Sequence, residues 1–186
     1  MNVLVLNCSP KVSGATQAIA DIVKGALPES ACVQEMSLAE AEFSLCIGCK
    51  RCYETGDCFR NDGVQALLHR MDAQDTVVMV CPSWWADVPA QFKGFIDRCT
   101  PYADTAPENG HFRLHKGIRC MGIALRAGSR AEEAEHILSC IAHYCGHMGM
   151  QYEHGLCLTG IDKAKDAEPY TEMIVQTVKA WFAQER

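Results

Sequence analysis

The sequence has no long hydrophobic run: its unbroken apolar stretches are short, Val77 to Cys81 among them, whereas a membrane span needs roughly 20 apolar residues. A bilayer-crossing role is therefore not expected. Positive charge is also scarce, with 17 Lys and Arg against 23 Asp and Glu and a net charge of -6. That balance offers neither a basic footprint for nucleic acid nor a polybasic surface for membranes. The start, Met1 to Asn7, lacks the basic region and long apolar core of a secretion signal, which predicts a cytoplasmic protein. Internal repeats and low-complexity segments are missing, and neither the dinucleotide fingerprint nor the P-loop lysine motif occurs. What remains is 186 residues, 48% hydrophobic and 22% charged, enough for one domain with a sizeable core and a small-molecule partner. Twelve cysteines stand out; in a reducing compartment they are thiols, metal ligands or redox groups, and their spacing must decide.

Strand-like runs alternate with helical periodicity along the whole chain, the pattern of an α/β protein with a mainly parallel sheet. Val3 to Leu6, Ala31 to Met36, Thr76 to Cys81, Arg119 to Leu125 and Gln151 to Leu158 read as strands. Between them, apolar residues recur at helical spacing: Ile19 to Leu27 with Pro28 as a stop, then Val64, Leu67, Leu68 and Met71. Val88, Phe92, Phe95, Ile96 and Cys99 form a further face, followed by one from Ala134 to Met148 and a closing one at Ile174, Val178, Trp181 and Phe182. Pro107 and Asn109-Gly110 signal a turn in the long loop before the fourth strand.

Two loops carry chemistry. Asn7 to Thr16 lies between a buried strand and a helix start: Ser9, Ser13 and Thr16 offer hydroxyls, Lys11 a charge, and Gly14 close backbone approach, while free amides point outward. This suits a mononucleotide phosphate; the plainer reading is a polar loop with a capped helix. Cys81 to Pro89 ends the third strand at the carboxyl edge, where open α/β sheets bind ligands. Trp84 and Trp85 can wall a flat ring there, or else cover the sheet end or a subunit interface.

On these residues the chain resembles the flavodoxin-like NAD(P)H-dependent FMN reductase family. Ser9-Pro10-Lys11 with Gly14-Ala15-Thr16 is similar to that family's phosphate loop; Cys8, Lys11 and Ala15 stand where glycine, arginine and asparagine are usual, and lysine gives a point charge rather than a fork. Pro82-Ser83-Trp84-Trp85-Ala86, followed by Lys93 and Phe95 to Arg98, resembles the flavin-ring loop and its helix, and Arg126-Ala127-Gly128 the third flavin loop. The resemblance implies a flavodoxin-like doubly wound sandwich over residues 1–186, with strand order 2-1-3-4-5 and FMN at the switch point, flavodoxin itself being the standard case of that rule. It further implies that Ser9, Lys11, Ser13, Gly14, Ala15 and Thr16 bind the FMN phosphate and that Pro82 to Ala86 and Arg126 to Gly128 line the isoalloxazine. A homodimer or homotetramer is implied as well.

Cys46, Cys49, Cys52 and Cys58 follow C-x2-C-x2-C-x5-C on a short loop. Thiolates at such intervals can wrap one compact inorganic centre, and four cysteines suit a [4Fe-4S] cluster; structural zinc usually uses two pairs set further apart. The segment resembles the compact motif of iron-sulfur flavoproteins, a branch of the same family. Lys50 and Arg51 are placed to offset its negative charge. The other eight cysteines read as small buried residues. His143 and His147, four apart on a helix, lack an evident third metal ligand.

The expected function is an FMN-dependent oxidoreductase that moves electrons from NAD(P)H to a small-molecule or protein acceptor, with no catalytic acid required. The alternative is a non-enzymatic FMN/iron-sulfur electron carrier, set apart by a cluster without nicotinamide turnover.

Overall fold

Five strands, β1 (Asn2–Asn7), β2 (Cys32–Ser37), β3 (Thr76–Pro82), β4 (Arg119–Leu125) and β5 (Gln151–Leu158), form one parallel sheet in the order β2-β1-β3-β4-β5 in the computed structural model. The structure describes residues 1–106 and 112–183, so the turn expected at Pro107 and Asn109-Gly110 lies outside the described residues. The central strands are apolar on both sides because both faces are covered, as parallel sheets require. Val3, Val5, Val78, Val80, Met121 and Ile123 pack beneath helices α1 (Ala15–Ala26) and α6 (Thr171–Ala183). Leu4, Leu6, Val77, Met79, Cys120 and Ala124 face the opposite layer, built from α3 (Gly63–Asp72), α4 (Ala90–Arg98) and α5 (Ala131–His147). A short helix, α2 (Cys52–Thr55), sits inside the cysteine-rich segment.

The bounds of β4 and β5 coincide with the predicted runs, and the other strands and the long helices fall within a few residues of theirs. The departures are at caps. Val88 and Cys99 belong to the apolar period of α4 yet lie outside the helix, because Pro89 forms its N-cap and Cys99 its C-cap. Apolar spacing reports burial, whereas helix ends are set by backbone bonding. The 3-10 turns at Thr100–Tyr102 and Ala164–Tyr170 carry no such period and were not foreseen.

A pair of glycines positions α5. Gly122 and Gly155 are neighbours in β4 and β5; a Cβ on either would run into Leu138 of α5, 2.9 Å and 2.7 Å away respectively. Glycine at both sites lets α5 lie close to the sheet, where Ala134, Ile137, Ile141 and Tyr144 are buried. Each fully buried large apolar side chain contributes about 1.5–3 kcal/mol. Among the described residues, no helix is long and apolar enough to cross a membrane.

Candidate functional site

The chain runs from β1 outward to β2, then returns across to β3, so the carboxyl ends of β1 and β3 flank the point where the strand order reverses. Two predicted loops begin there, and the third follows β4, the next strand. Cys8 N–H donates to Val80 O (2.9 Å), Ser83 N–H to Leu125 O (2.7 Å), and Arg126 N–H to Leu158 O (3.1 Å). These bonds bring the starts of the Ser9, Pro82 and Arg126 loops side by side along one sheet edge.

Asn7, fully buried, orders the first loop from within: its Oδ1 accepts the Ser9 N–H at 2.9 Å and its Nδ2 donates to Gln17 at 2.8 Å. Ser9 Oγ accepts the Lys11 N–H at 3.1 Å. Ser9 and Thr16 are recessed, while Lys11 and Ser13 stand exposed at the rim. Gly14 is the N-cap of α1 at φ 122°, ψ -159°, a conformation nearly confined to glycine, and supplies no side-chain cap. The capped-helix reading of this loop therefore does not hold. The first intrahelical bond is Ala18 N–H to Gly14 O at 3.0 Å, so the amides of Ala15, Thr16 and Gln17 lie ahead of the helical ladder. A Cβ on Gly14 would meet nothing within 4 Å. A helix start with open space before it is an anion-binding geometry.

The second loop is a tight turn: Trp84 and Asp87 pair as an isolated antiparallel bridge, with Trp85 (φ 52°) and Ala86 (φ 61°) both left-handed. Non-glycine residues held there cost about 1–2 kcal/mol each, strain of a kind that clusters at ligand sites. Trp85 is fully exposed, so it does not cover the sheet end, and Trp84 is nearly half exposed. The third loop is clamped by an Arg126–Glu133 ion pair at 2.5 Å and by Gly160 N–H donating to Gly128 O at 3.0 Å. Arg126 Nε is buried without a partner, a donor left for a ligand. Beneath the first two loops lie Cys8 and Cys81, both fully buried; burial first, then the hydrogen-bonded Cys8, push the Cys81 thiol well up.

Cys46, Cys49, Cys52 and Cys58 all line one cavity of about 180 Å³. The segment is held by Arg98, at the end of α4 and 2% exposed. Its guanidinium forks onto Asp62 (2.8 and 3.0 Å) and donates to Ser44 O (2.5 Å) and Arg60 O (3.2 Å). Asp62 also caps α3 in a capping box with Gln65. Tyr102 donates its hydroxyl to Asp57; burial, then that carboxylate, hold the phenol above its usual range. Lys50, Arg60 and Arg98 border the cavity, and Arg51 and Arg60 both stack over Phe59 at its rim, at 4.9 and 5.3 Å. Arg60 and Arg98 thus join the expected Lys50 beside the thiols. Arg60 Nε and Arg98 Nε are buried and unpartnered, so both fit an anionic centre held by the four sulfurs. Burial pushes the Cys52 thiol up, and the other three thiols of the segment act in the same sense.

A groove of about 960 Å³ runs between α4 and α5, from Asp87 to Tyr53 of the cysteine segment. His143 and His147 face it with their Nε2 atoms 3.0 Å apart.

Residues 1–153 match the sequence profile of the family described as NADPH-dependent FMN reductase. The chain belongs to that family. The match contains all three loops and the cysteine segment. Among curated relatives, an iron-sulfur flavoprotein of Methanocaldococcus jannaschii is 33% identical over 54% of this chain and 53% of its own. One from Archaeoglobus fulgidus is 27% identical over 79% of this chain and 64% of its own. The chain thus spans about half to two-thirds of the length of these relatives. Among solved structures, an NAD(P)H:quinone oxidoreductase from Methanothermobacter marburgensis covers 100% of this chain and 99% of its own at TM-score 0.75 and 16% identity. An FMN-dependent NADH-azoreductase from Bacillus anthracis, in complex with FMN, covers 97% and 99% at TM-score 0.67 and 13% identity. These likenesses show the flavodoxin-like fold.

Within this FMN reductase family fold, sequence reasoning missed Asn7, Asp62, the bracing role of Arg98, and the meeting of Asp87 with α5. Only Asp62 left a local trace, as an Asp-x-x-Gln box ahead of an apolar helix. Of the eight other cysteines, Cys8, Cys81, Cys99, Cys120 and Cys145 are buried as expected, but Cys32 is exposed and Cys140 and Cys157 are half-buried.

Proposed function

We propose that the protein is an FMN-dependent oxidoreductase that takes electrons from NAD(P)H and delivers them to a small-molecule or protein acceptor. The observation that carries this reading is the uncapped start of α1 at the switch point, with two further loops beside it on the same sheet edge. The amides of Ala15 and Thr16 and the hydroxyls of Ser9, Ser13 and Thr16 donate to the phosphate. Lys11 supplies its countercharge, and Gly14 keeps the approach open. Pro82, Ser83, Trp84, Trp85 and Ala86 flank the isoalloxazine; Arg126, Ala127 and Gly128 border it from the next strand. FMN, when bound, supplies the hydride and electron chemistry, so the chain's residues bind, orient and exclude water. Anaerobic mixing of the FMN-loaded protein with NADH and with NADPH tests the reading: bound flavin is reduced faster than free FMN by at least one of them. Reduction no faster than that of free FMN overturns it.

Cys46, Cys49, Cys52 and Cys58 hold a [4Fe-4S] cluster in the same reading, which adds one-electron transfer when bound. Its support is the shared cavity with the unpartnered Arg60 and Arg98 donors, together with the curated relatives named iron-sulfur flavoproteins. Iron and acid-labile sulfide are retained after anaerobic purification; values near zero overturn the cluster. Pro89 and Arg98 mark opposite ends of α4, whose nine residues rise roughly 13 Å. One chain therefore keeps its cysteine segment away from its own Trp84–Asp87 turn. A second copy brings the cysteine segment toward the flavin site, in a homodimer or homotetramer. A stable monomer with full flavin affinity in light scattering contradicts this.

A further inference from the structure

Asp87, His136 and Cys140 lie away from the four-cysteine cavity and have no part in the reading above. Their ligand atoms, a carboxylate oxygen, imidazole Nε2 and Sγ, all fall within 4.8 Å of one another. His136 Nε2 is 3.6 Å from Asp87 Oδ1 and 3.6 Å from Cys140 Sγ. In a tetrahedral zinc site, bond lengths of about 2.0–2.3 Å put neighbouring N, O and S ligand atoms roughly 3.3–3.6 Å apart. Two of the three edges are close to that length, and the third lies within 4.8 Å.

The supports are rigid. His136 and Cys140 sit four apart on α5, hence on one face of a helix anchored by its buried apolar side. Asp87 closes the Trp84–Asp87 turn, and its Oδ1 accepts the Val88 N–H at 2.7 Å, the kind of outer bond that orients metal-ligating carboxylates. Lys93, the cation facing Cys140, is engaged by Asp97 one turn along α4. The three groups line the groove between α4 and α5, so a fourth position opens onto it.

We propose that Asp87, His136 and Cys140 form a transition-metal site of the zinc class, with three protein ligands and one position open to the groove. The mixed thiolate, imidazole and carboxylate set suits a borderline-soft divalent ion and disfavours magnesium or calcium. Binding releases the Cys140 thiol proton to solvent, and a divalent ion with one thiolate and one carboxylate leaves the site neutral. The ion ties the Trp84–Asp87 turn to α5. The site stands whether or not the flavin reading holds, because its occupancy is counted without flavin turnover.

The test is titration of the purified protein with Co2+ and Zn2+, following the thiolate-to-cobalt charge-transfer band in difference spectra and Zn2+ by competition with a chromophoric chelator. One equivalent is expected to vanish in Cys140→Ser and to bind at least about tenfold more weakly in His136→Ala and Asp87→Asn. The same equivalent persists in Cys46→Ser/Cys49→Ser, which removes capture by the other thiols. Unchanged stoichiometry and affinity in Cys140→Ser overturn the proposal. So does loss of all metal in Cys46→Ser/Cys49→Ser, or loss in His143→Ala alone.

Discussion

Replacing Arg98 by methionine keeps most of the stem's volume and removes the guanidinium that fastens the cysteine segment to α4. The wild-type group makes two bonds to Asp62, at 2.8 and 3.0 Å, and one each to the carbonyls of Ser44 and Arg60. Breaking a buried ion pair by deleting one partner costs about 3–5 kcal/mol. The low end applies here, because the Asp62 side chain keeps 19% of its exposure and can recruit water once Arg98 is gone. About 3 kcal/mol in a chain of this size lowers Tm by about 6–12 °C. Burial raises the Asp62 carboxyl, but the Arg98 bond and the amides of Ser44 and Val64 outweigh it and leave the group below its ordinary value of 3.8. A depressed carboxyl stabilises fully above that value and loses its contribution as pH falls through the folded one. The gap between wild type and Arg98→Met should therefore be constant from neutral pH down to about pH 5 and narrow only below about pH 4. Thermal unfolding across that range, with Asp62→Asn and the double variant, measures it; Asp62→Asn and Arg98→Met should be strongly non-additive. A Tm within about 1 °C of wild type, or additive losses, refutes the assignment of Arg98 as the brace.

Gly14→Ala places a side chain at φ 122° and should cost about 1–3 kcal/mol of stability through backbone strain alone, with FMN affinity falling further than stability explains; unchanged unfolding and affinity contradict the role given to this loop. Lys11→Met should weaken FMN and leave riboflavin binding unaltered in fluorescence titrations, since the lysine is assigned to the phosphate; equal loss for both ligands removes that assignment. Trp85→Gly relieves about 1–2 kcal/mol of left-handed strain against about 0.5–1 kcal/mol of added chain entropy. Because Trp85 makes no packing contribution, the flavin-free protein should keep its stability within about 1 kcal/mol while flavin affinity drops. A large stability loss would show that the indole packs.

The central strands β1, β3 and β4 were legible because each is a contiguous run whose apolar character answers to burial on both faces, whereas the edge strands β2 and β5 mix exposed and half-buried residues. Val77 to Val80 meet apolar neighbours on either side, so no alternation is needed to recognise them. The loop proposed for the phosphate was legible for a related reason: its hydroxyls, lysine and glycine follow one another in the chain, and a helix start needs only local bonds. Arg98 and Asp62 stand 36 residues apart, and nothing in either segment says that the other's charge waits in the same buried place. The exposure of Trp85 was likewise out of reach, since an adjacent pair of indoles reads equally well as a lid, an interface or a ligand wall.

The cysteines divide along the same line. Spacing singled out the four in residues 46–58, because ligands close in sequence can converge without help from the fold. For the others, chemistry depends on what the fold brings within a few ångströms. Cys99, fully buried beside Tyr144, is driven by burial to a pKa of about 12 and stays a neutral, space-filling thiol. Cys140, on the next long helix, is half-buried, with the His136 imidazole one turn back on the same helix and the Asp87 carboxylate beside it. No property of the residue itself separates the two: both border the same groove, but Cys99 meets the Tyr144 hydroxyl where Cys140 meets two groups able to ligate. A helix of mixed character such as α5 can therefore carry a core thiol, Cys145, on one side and, in the site proposed above, a coordinating thiol on the other, and only the side chains gathered around each tell them apart.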